Sequence, residues 1–295
     1  MPSESYIKSF ERKPEKSKAL SEFLDKVDFD SLRQILSEYV KASGLTLDET
    51  LFMDKDKIID TTDGVSGYFT EDNVALNMKI IRNYAMATLS PVDYKALKTL
   101  CHEEVHAISQ SNCEEMGEGN WRFQGGYGVT YINDKNEGSV YVRELLRLFD
   151  EGVTEKLGRE VTKKYLALHP SFVGKWQGIP FETSYQQPVE LIDVFIIRLS
   201  KELELSEETV WHAILRSKIE GGDFFEKEVQ DMFEAMFGAE FVLKLFKANN
   251  IKDIRELTKI IENSSLVPQP NIIDKIKRQI YDIGYTRNPT FGRSK

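Results

Sequence analysis

The sequence predicts an α+β protein in which a small sheet region carries two long helices and an almost wholly helical part follows. Three observations predict it. From Val189 onward apolar residues recur at helical spacing, through "VELIDVFIIRLSKEL", "SEETVWHAILRSKI", "FEKEVQDMFEAMF", "FVLKLFKAN", "IRELTKIIEN" and "NIIDKIKRQIYDI". Residues 51–79 and 121–142 instead show short apolar runs broken by Gly and polar turn residues. One long helical pattern, "SPVDYKALKTLCHEEVHAISQ", lies between them, and a second, "VRELLRLFDEGVTEKLGREVTKKYLAL", follows the later region.

Residues 1–16, rich in Lys, Glu and Ser, read as a flexible lead-in, with an inhibitory prosegment as the sharper alternative. "SKALSEFLDKV" and "DSLRQILSEYVKAS" read as short helices, the second with Leu32, Ile35, Leu36 and Tyr39 on one face and Gly44 at its stop. "LFMDKDKII" and "GYFTEDNVALNMK" read as strands, with Val74, Leu76 and Met78 alternating. The next segment has strong start signals: Ser90 as N-cap, Pro91 at the first helical position and Asp93 in the first turn. "WRFQGGYGVTYINDKNEGSVYV" reads as a glycine-rich loop and a hairpin turning at Asn-Asp-Lys-Asn-Glu-Gly. The helix after it has Gly152 and Gly158 as weak points, and Gly and Pro gather again in "HPSFVGKWQGIP". The expected organisation is a lead-in with short helices at 1–45, an α/β core at 46–165 and a helical part at 166–295.

Composition sets limits on function. The 295-residue chain is 41% hydrophobic and 29% charged, values that support an ordinary core. A net charge of −9 argues against a general nucleic-acid partner. Two cysteines, Cys101 and Cys113, are too few for a disulfide scaffold. No apolar run suggests a signal peptide or membrane insertion, so a cytoplasmic setting is expected. Oligomeric state leaves no readable signal.

The residues that carry chemistry are His102-Glu103-Glu104-Val105-His106. On an α-helix, positions i and i+4 differ by about 40° in azimuth and about 6 Å along the axis. The two imidazoles can therefore aim at one point, as a tetrahedral Zn²⁺ requires. Glu103 stands beside that point, placed to take a proton from a water there. Glu104 points away and reads as a solvated charge. The bland alternative is a helix with two of the four histidines at a chance spacing. A third ligand decides between them. After His106 comes "AISQSNCEE", which holds no further His, so a downstream carboxylate is needed. "LFDEGVTEKL" offers Glu151 and Glu155 on one helical face. One can bind metal while the other accepts a ring N–H from a ligating histidine.

HEEVH followed by D-E-G-V-T-E resembles the gluzincin zinc peptidases, the broad group that includes thermolysin. The resemblance covers about residues 65–160 and names no particular family. It implies a small mixed or antiparallel sheet with two zinc-binding helices. It implies one Zn²⁺ on His102, His106 and Glu151, Glu103 as general base, and Glu155 as partner of a ligand histidine. It further implies a peptide or protein substrate, added as an extra strand along the edge formed by "GYFTEDNVALN". The interval between His106 and Glu151 is wider than in thermolysin and holds the glycine-rich hairpin.

Peptide hydrolysis also needs a donor to the developing oxyanion. Tyr185, just before a helix in "FETSYQQPVELI", and His212, in "VWHAILR", are the candidates; the alternatives are a packed aromatic and a core histidine. His169 reads as a loop residue and Cys101 as a small core residue. Gly125, Gly126 and Gly128 lack the strand and helix context of a nucleotide loop and read as a tight bend. The competing functional class is a regulatory or binding protein that keeps such a zinc site without hydrolysing peptides.

Overall fold

The structure, a computed structural model, describes residues 16–70, 73–109, 111–117, 120–133, 141–174, 185–221, 233–238 and 240–264, with 270, 273–274 and 277–278. It is mixed α and β and mostly helical, with two small sheets. Its contacts form two compact units, each assembled from separated stretches of chain. One comprises Met1–Leu36, Asp48–Ile108 and Lys156–Thr183; the other comprises Ser37–Leu47, Ser109–Glu155 and Ser184–Lys295.

In the first unit, helix α1 (Lys18–Leu24) is capped by the Ser17 hydroxyl. It buries Leu20, Phe23 and Leu24. Helix α2 (Phe29–Ala42) buries Leu32, Ile35 and Leu36, the face read from its spacing. Two single 3₁₀ turns, Glu49–Leu51 and Lys55–Lys57, interrupt the segment expected as a strand. Asp48 caps the first turn through its own side chain, so local Asp chemistry wins over the apolar run there. Strand β1 is only Ile58–Asp60. Strands β2 (Gly67–Phe69) and β3 (Val74–Leu76) form an antiparallel pair, and β1 joins β3 in parallel, giving the order β1-β3-β2.

The alternation expected through Met78 is absent. Val74, Ala75 and Leu76 are all buried, and Met78 opens helix α3 (Met78–Ala87) with Asn77 as N-cap. A strand covered on both faces loses its period-2 signal. Helix α4 (Val92–Ala107) begins one residue later than its start signals suggest, because Pro91 takes the cap position. Strands β2 and β3 pack on α4. Tyr165 closes this core: it is fully buried, its hydroxyl accepts the Asp28 N–H at 2.8 Å, and its ring meets Phe172 edge-on.

The second unit holds an antiparallel four-stranded sheet in sequential order, β4 (Ser111–Gly117), β5 (Asn120–Gly125), β6 (Gly128–Asn133) and β7 (Tyr141–Leu145). The Asn-Asp-Lys-Asn-Glu-Gly turn lies almost wholly outside the described residues. The GGYG bend is the β5–β6 turn: Gly125 pairs with Gly128, and Gly126 adopts φ +55°. Helices α5 (Arg147–Leu168), α6 (Gln186–Leu203), α7 (Glu207–Glu220), α8 (Phe241–Lys247) and α9 (Ile251–Asn263) complete the described elements. Helix α6 packs on α7 and α9. Phe149, Phe195, Phe233, Phe237 and Phe241 form one chain of ring contacts through this core, with centroids 4.6–6.3 Å apart. No helix of the described residues is long and apolar enough to cross a membrane.

Helix α5 runs unbroken through both glycines expected to weaken it. At Gly152 an added Cβ would lie 2.7 Å from the Pro188 carbonyl oxygen and 2.9 Å from its carbon. The missing side chain lets the start of α6 approach, and that contact outweighs the roughly 1 kcal/mol helix propensity lost relative to Ala. Gly152→Ala is therefore expected to lower the unfolding free energy by about 1–3 kcal/mol in denaturant titration. A gain of about 1 kcal/mol, the propensity value, would contradict this packing.

Candidate metal centre

Helix α4 is buried over most of its surface: Leu97, Leu100, Cys101 and Val105 are buried, and so are Lys95, Lys98 and several further polar residues, while Thr99 and His106 are half-buried. His102 is 8% exposed, Glu103 6% and Glu104 0%. A surface helix would show one polar face. Here three adjacent ionisable side chains are held in the interior, where each needs a purpose or a partner.

The position of α4 is set by a close crossing with α5. A Cβ on Gly158 would stand 3.2 Å from the His102 Cα and 3.3 Å from its nitrogen. Gly158 thus brings the backbone of α5 directly against the first histidine. Glu151 lies seven residues earlier on the same continuous helix, about two turns or about 10 Å along its axis. Ligand atoms of His102, His106 and Glu151 all lie within 4.8 Å of one another. The two imidazole rings have centroids 5.0 Å apart and planes inclined at 70°.

Two imidazoles and one carboxylate form the donor set of a three-ligand zinc site with an open fourth position. Ligands of a tetrahedral zinc lie about 3.4 Å apart, so the residues fit with small side-chain adjustments. Cys101 does not join them. Burial pushes its thiol up to about 12, with Thr162 hydrogen bonding in partial opposition, and it stays a neutral core residue as its sequence suggests.

The Glu103 carboxylate lies against the edge strand. A Cβ on Gly67 would be 3.2 Å from Glu103 Oε1 and 2.7 Å from the Thr99 methyl. Gly67 in β2 lets that strand pass close over the Thr99–Glu103 turn of α4. The β2–β3 hairpin is as expected, with β2 at the edge of its sheet.

Glu104 corrects the sequence reading. It is fully buried rather than solvated, and its Oε2 accepts the Met53 N–H at 3.2 Å. Burial holds its carboxyl well above the usual range, with the Met53 N–H opposing. Its side of α4, turned away from the histidines by helical spacing, faces Met53 instead of water. Glu155 is also buried, at 3% exposure, one turn after Glu151.

Tyr185 is the N-cap of α6, in a left-handed conformation at φ 53°. His212 sits half-buried in α7, outside the group of three. Arg147, absent from the sequence reading, shares surroundings with Tyr185. Its guanidinium pairs with Glu144 at 2.7 Å and lies within electrostatic reach of Glu151 and Tyr185. These interactions, Glu144 foremost, raise its pKa above the ordinary value. The i, i+4 spacing of Arg147 and Glu151 is the signal that could have found it. Leu146, just before it, adopts φ 56°, a left-handed geometry that costs about 1–2 kcal/mol in a non-glycine residue. His169 ends α5 beside the Tyr165 ring, centroid to centroid 4.5 Å.

Compared with protein-family models, curated proteins and solved structures, the chain matches none.

The Glu104 burial has a pH signature. Its folded pKa is raised, so on raising the pH the unfolded chain releases this proton first. Stability from the neutral carboxyl is complete below the ordinary value of 4.5 and declines above it. Glutamine holds the neutral form at every pH. Glu104→Gln is expected to gain about 1–3 kcal/mol of unfolding free energy at pH 7.5 and nothing at pH 4, by denaturant titration at both. An equal loss at both pH values would remove the buried-acid account.

Proposed function

We propose that the chain is a zinc-dependent metallopeptidase with a gluzincin-like core. One Zn²⁺ would be held by His102, His106 and Glu151, with Glu103 as general base. The observation that carries the reading is the convergence of those three ligand sets within 4.8 Å, two from α4 and one from α5. A pair of histidines on one helix has a chance explanation; a carboxylate from another helix arriving at the same point is a much more demanding coincidence.

Zinc in such a site lowers the pKa of water towards 7 and polarises a carbonyl oxygen. The protein's own groups do the rest. Glu103, adjoining His102 and held beside β2, takes a proton from the attacking water and returns it to the leaving amine. Strand β2 offers its edge to an extended peptide, whose main chain would pair with it next to that carboxylate. Glu155 orients a ligand histidine. Of the two candidate oxyanion donors, Tyr185 is favoured over His212, because Arg147 and Glu151 share its surroundings. A purely structural or sensory zinc site would have no use for Glu103 in this position.

The test joins metal analysis to one substitution. The purified protein should carry one zinc per chain, and Glu103→Gln should keep that zinc while losing at least about 100-fold in kcat/KM on a peptide library. EDTA should abolish activity and leave the fold intact. Wild-type protein without zinc, or undiminished activity in Glu103→Gln, would reject the proposal.

A further inference from the structure

The residue before the third ligand is not free to follow its helix. Asp150, 5% exposed, uses one oxygen, Oδ1, to accept both the Tyr127 N–H at 2.8 Å and the Lys218 ammonium at 2.7 Å. The Lys218 and Asp150 side chains are 1% and 7% exposed, so this is a fully interior ion pair. The two helices meet it with suitable ends. Asp150 stands in the first turn of α5 and Lys218 in the last turn of α7, where the helix dipoles favour an acid and a base respectively.

The β5–β6 turn is shaped to close over the pair. A Cβ on Gly126 would lie 2.6 Å from Asp150 Oδ1 and 2.8 Å from Lys218 Nζ. Its φ of +55° independently calls for glycine. Tyr127 then anchors the turn: its hydroxyl donates to the Ile214 carbonyl at 2.7 Å, and its ring meets Phe149 at 5.2 Å. An interior ion pair is a poor source of stability, because removing two charges from water offsets most of their attraction. What it offers is a fixed arrangement of the groups it joins.

We infer that Asp150, Lys218 and the Gly126–Tyr127 turn form a clamp that orients the first turn of α5, and that Asp150 and Lys218 are positioning residues for the metal ligand Glu151. The inference rests on the zinc site proposed above. Asp150 fixes the turn from one side, and Glu151, the next residue around the helix, is aimed by the same constraint. Sequence alone shows Lys218 as a basic residue near a helix end, where a solvated charge is the ordinary reading. Only the fold brings it to Asp150.

The experiment measures zinc affinity by chelator competition in the full-length protein. It is combined with the absorption spectrum of the cobalt-substituted form, which reports ligand geometry without catalysis. Lys218→Met is expected to weaken zinc binding by about 10–100-fold and to shift the cobalt bands, at temperatures where circular dichroism shows it folded. Leu257→Ala, a core truncation in α9, is the control: it should lower Tm and leave both metal readouts unchanged. Should Lys218→Met fail to fold, Asp150→Asn/Lys218→Met, which buries no charge, carries the same measurement. Wild-type affinity and an unshifted cobalt spectrum in the folded variant would overturn the clamp while leaving the zinc site standing. A wild-type protein with no zinc affinity would overturn both.

Discussion

The approach of α5 to the backbone of α4 at Gly158 is the constraint on which the candidate centre depends. No side chain stands between the two helices there, and any added carbon would meet the His102 backbone at 3.2–3.3 Å. The contact fixes the first histidine relative to the second helix. Thr162, one turn beyond Gly158, bonds back to the Gly158 carbonyl at 2.7 Å and also reaches the Cys101 thiol. Ligand atoms of Glu151, seven residues before Gly158 on α5, lie within 4.8 Å of those of His102 and His106. Gly152 plays the matching part at the ligand end, admitting the Pro188 backbone beside Glu151.

Several ionisable side chains are buried in each of the two units. His102, Glu103, Glu104, Asp150, Glu155 and Lys218 are all buried. Each buried charge carries a desolvation cost that must be offset by a partner, a proton or a metal. Glu104 is offset by keeping its proton and by the Met53 N–H, and Asp150 by Lys218 and Tyr127. In the proposed zinc site the metal would do the same for His102.

Much of this was legible in the sequence, and the rest failed for identifiable reasons. The i, i+4 histidines and the two downstream glutamates were readable because helical spacing alone sets their direction. Among the described residues, helices α6–α9 and the β5–β6 turn followed from periodicity and turn residues, while most of "FEKEVQDMFEAMF" and "NIIDKIKRQIYDI" lies outside them. Helix α3 was missed because its apolar residues directly follow a strand, and the cap at Asn77 is a single residue. The strand expected over "LFMDKDKII" survives only at Ile58 and Ile59; a 3₁₀ turn capped by Asp48 and a second at Lys55–Lys57 precede them. Gly152 and Gly158 looked like helix defects because propensity is local, whereas their role is to admit another backbone. Glu104 reads as solvated, and Lys218 carries no signal, because no one-dimensional pattern tells a charged residue that it faces a core. Arg147 was passed over beside the more conspicuous Glu151.

The most direct measurement is anomalous diffraction at the zinc edge from crystals of zinc-loaded protein. The account predicts one strong peak per chain, bound by His102 and His106 nitrogens and by a Glu151 carboxylate oxygen at about 2.0–2.2 Å. A peak coordinated elsewhere, or a Glu151 oxygen more than about 3 Å from the metal, would contradict it.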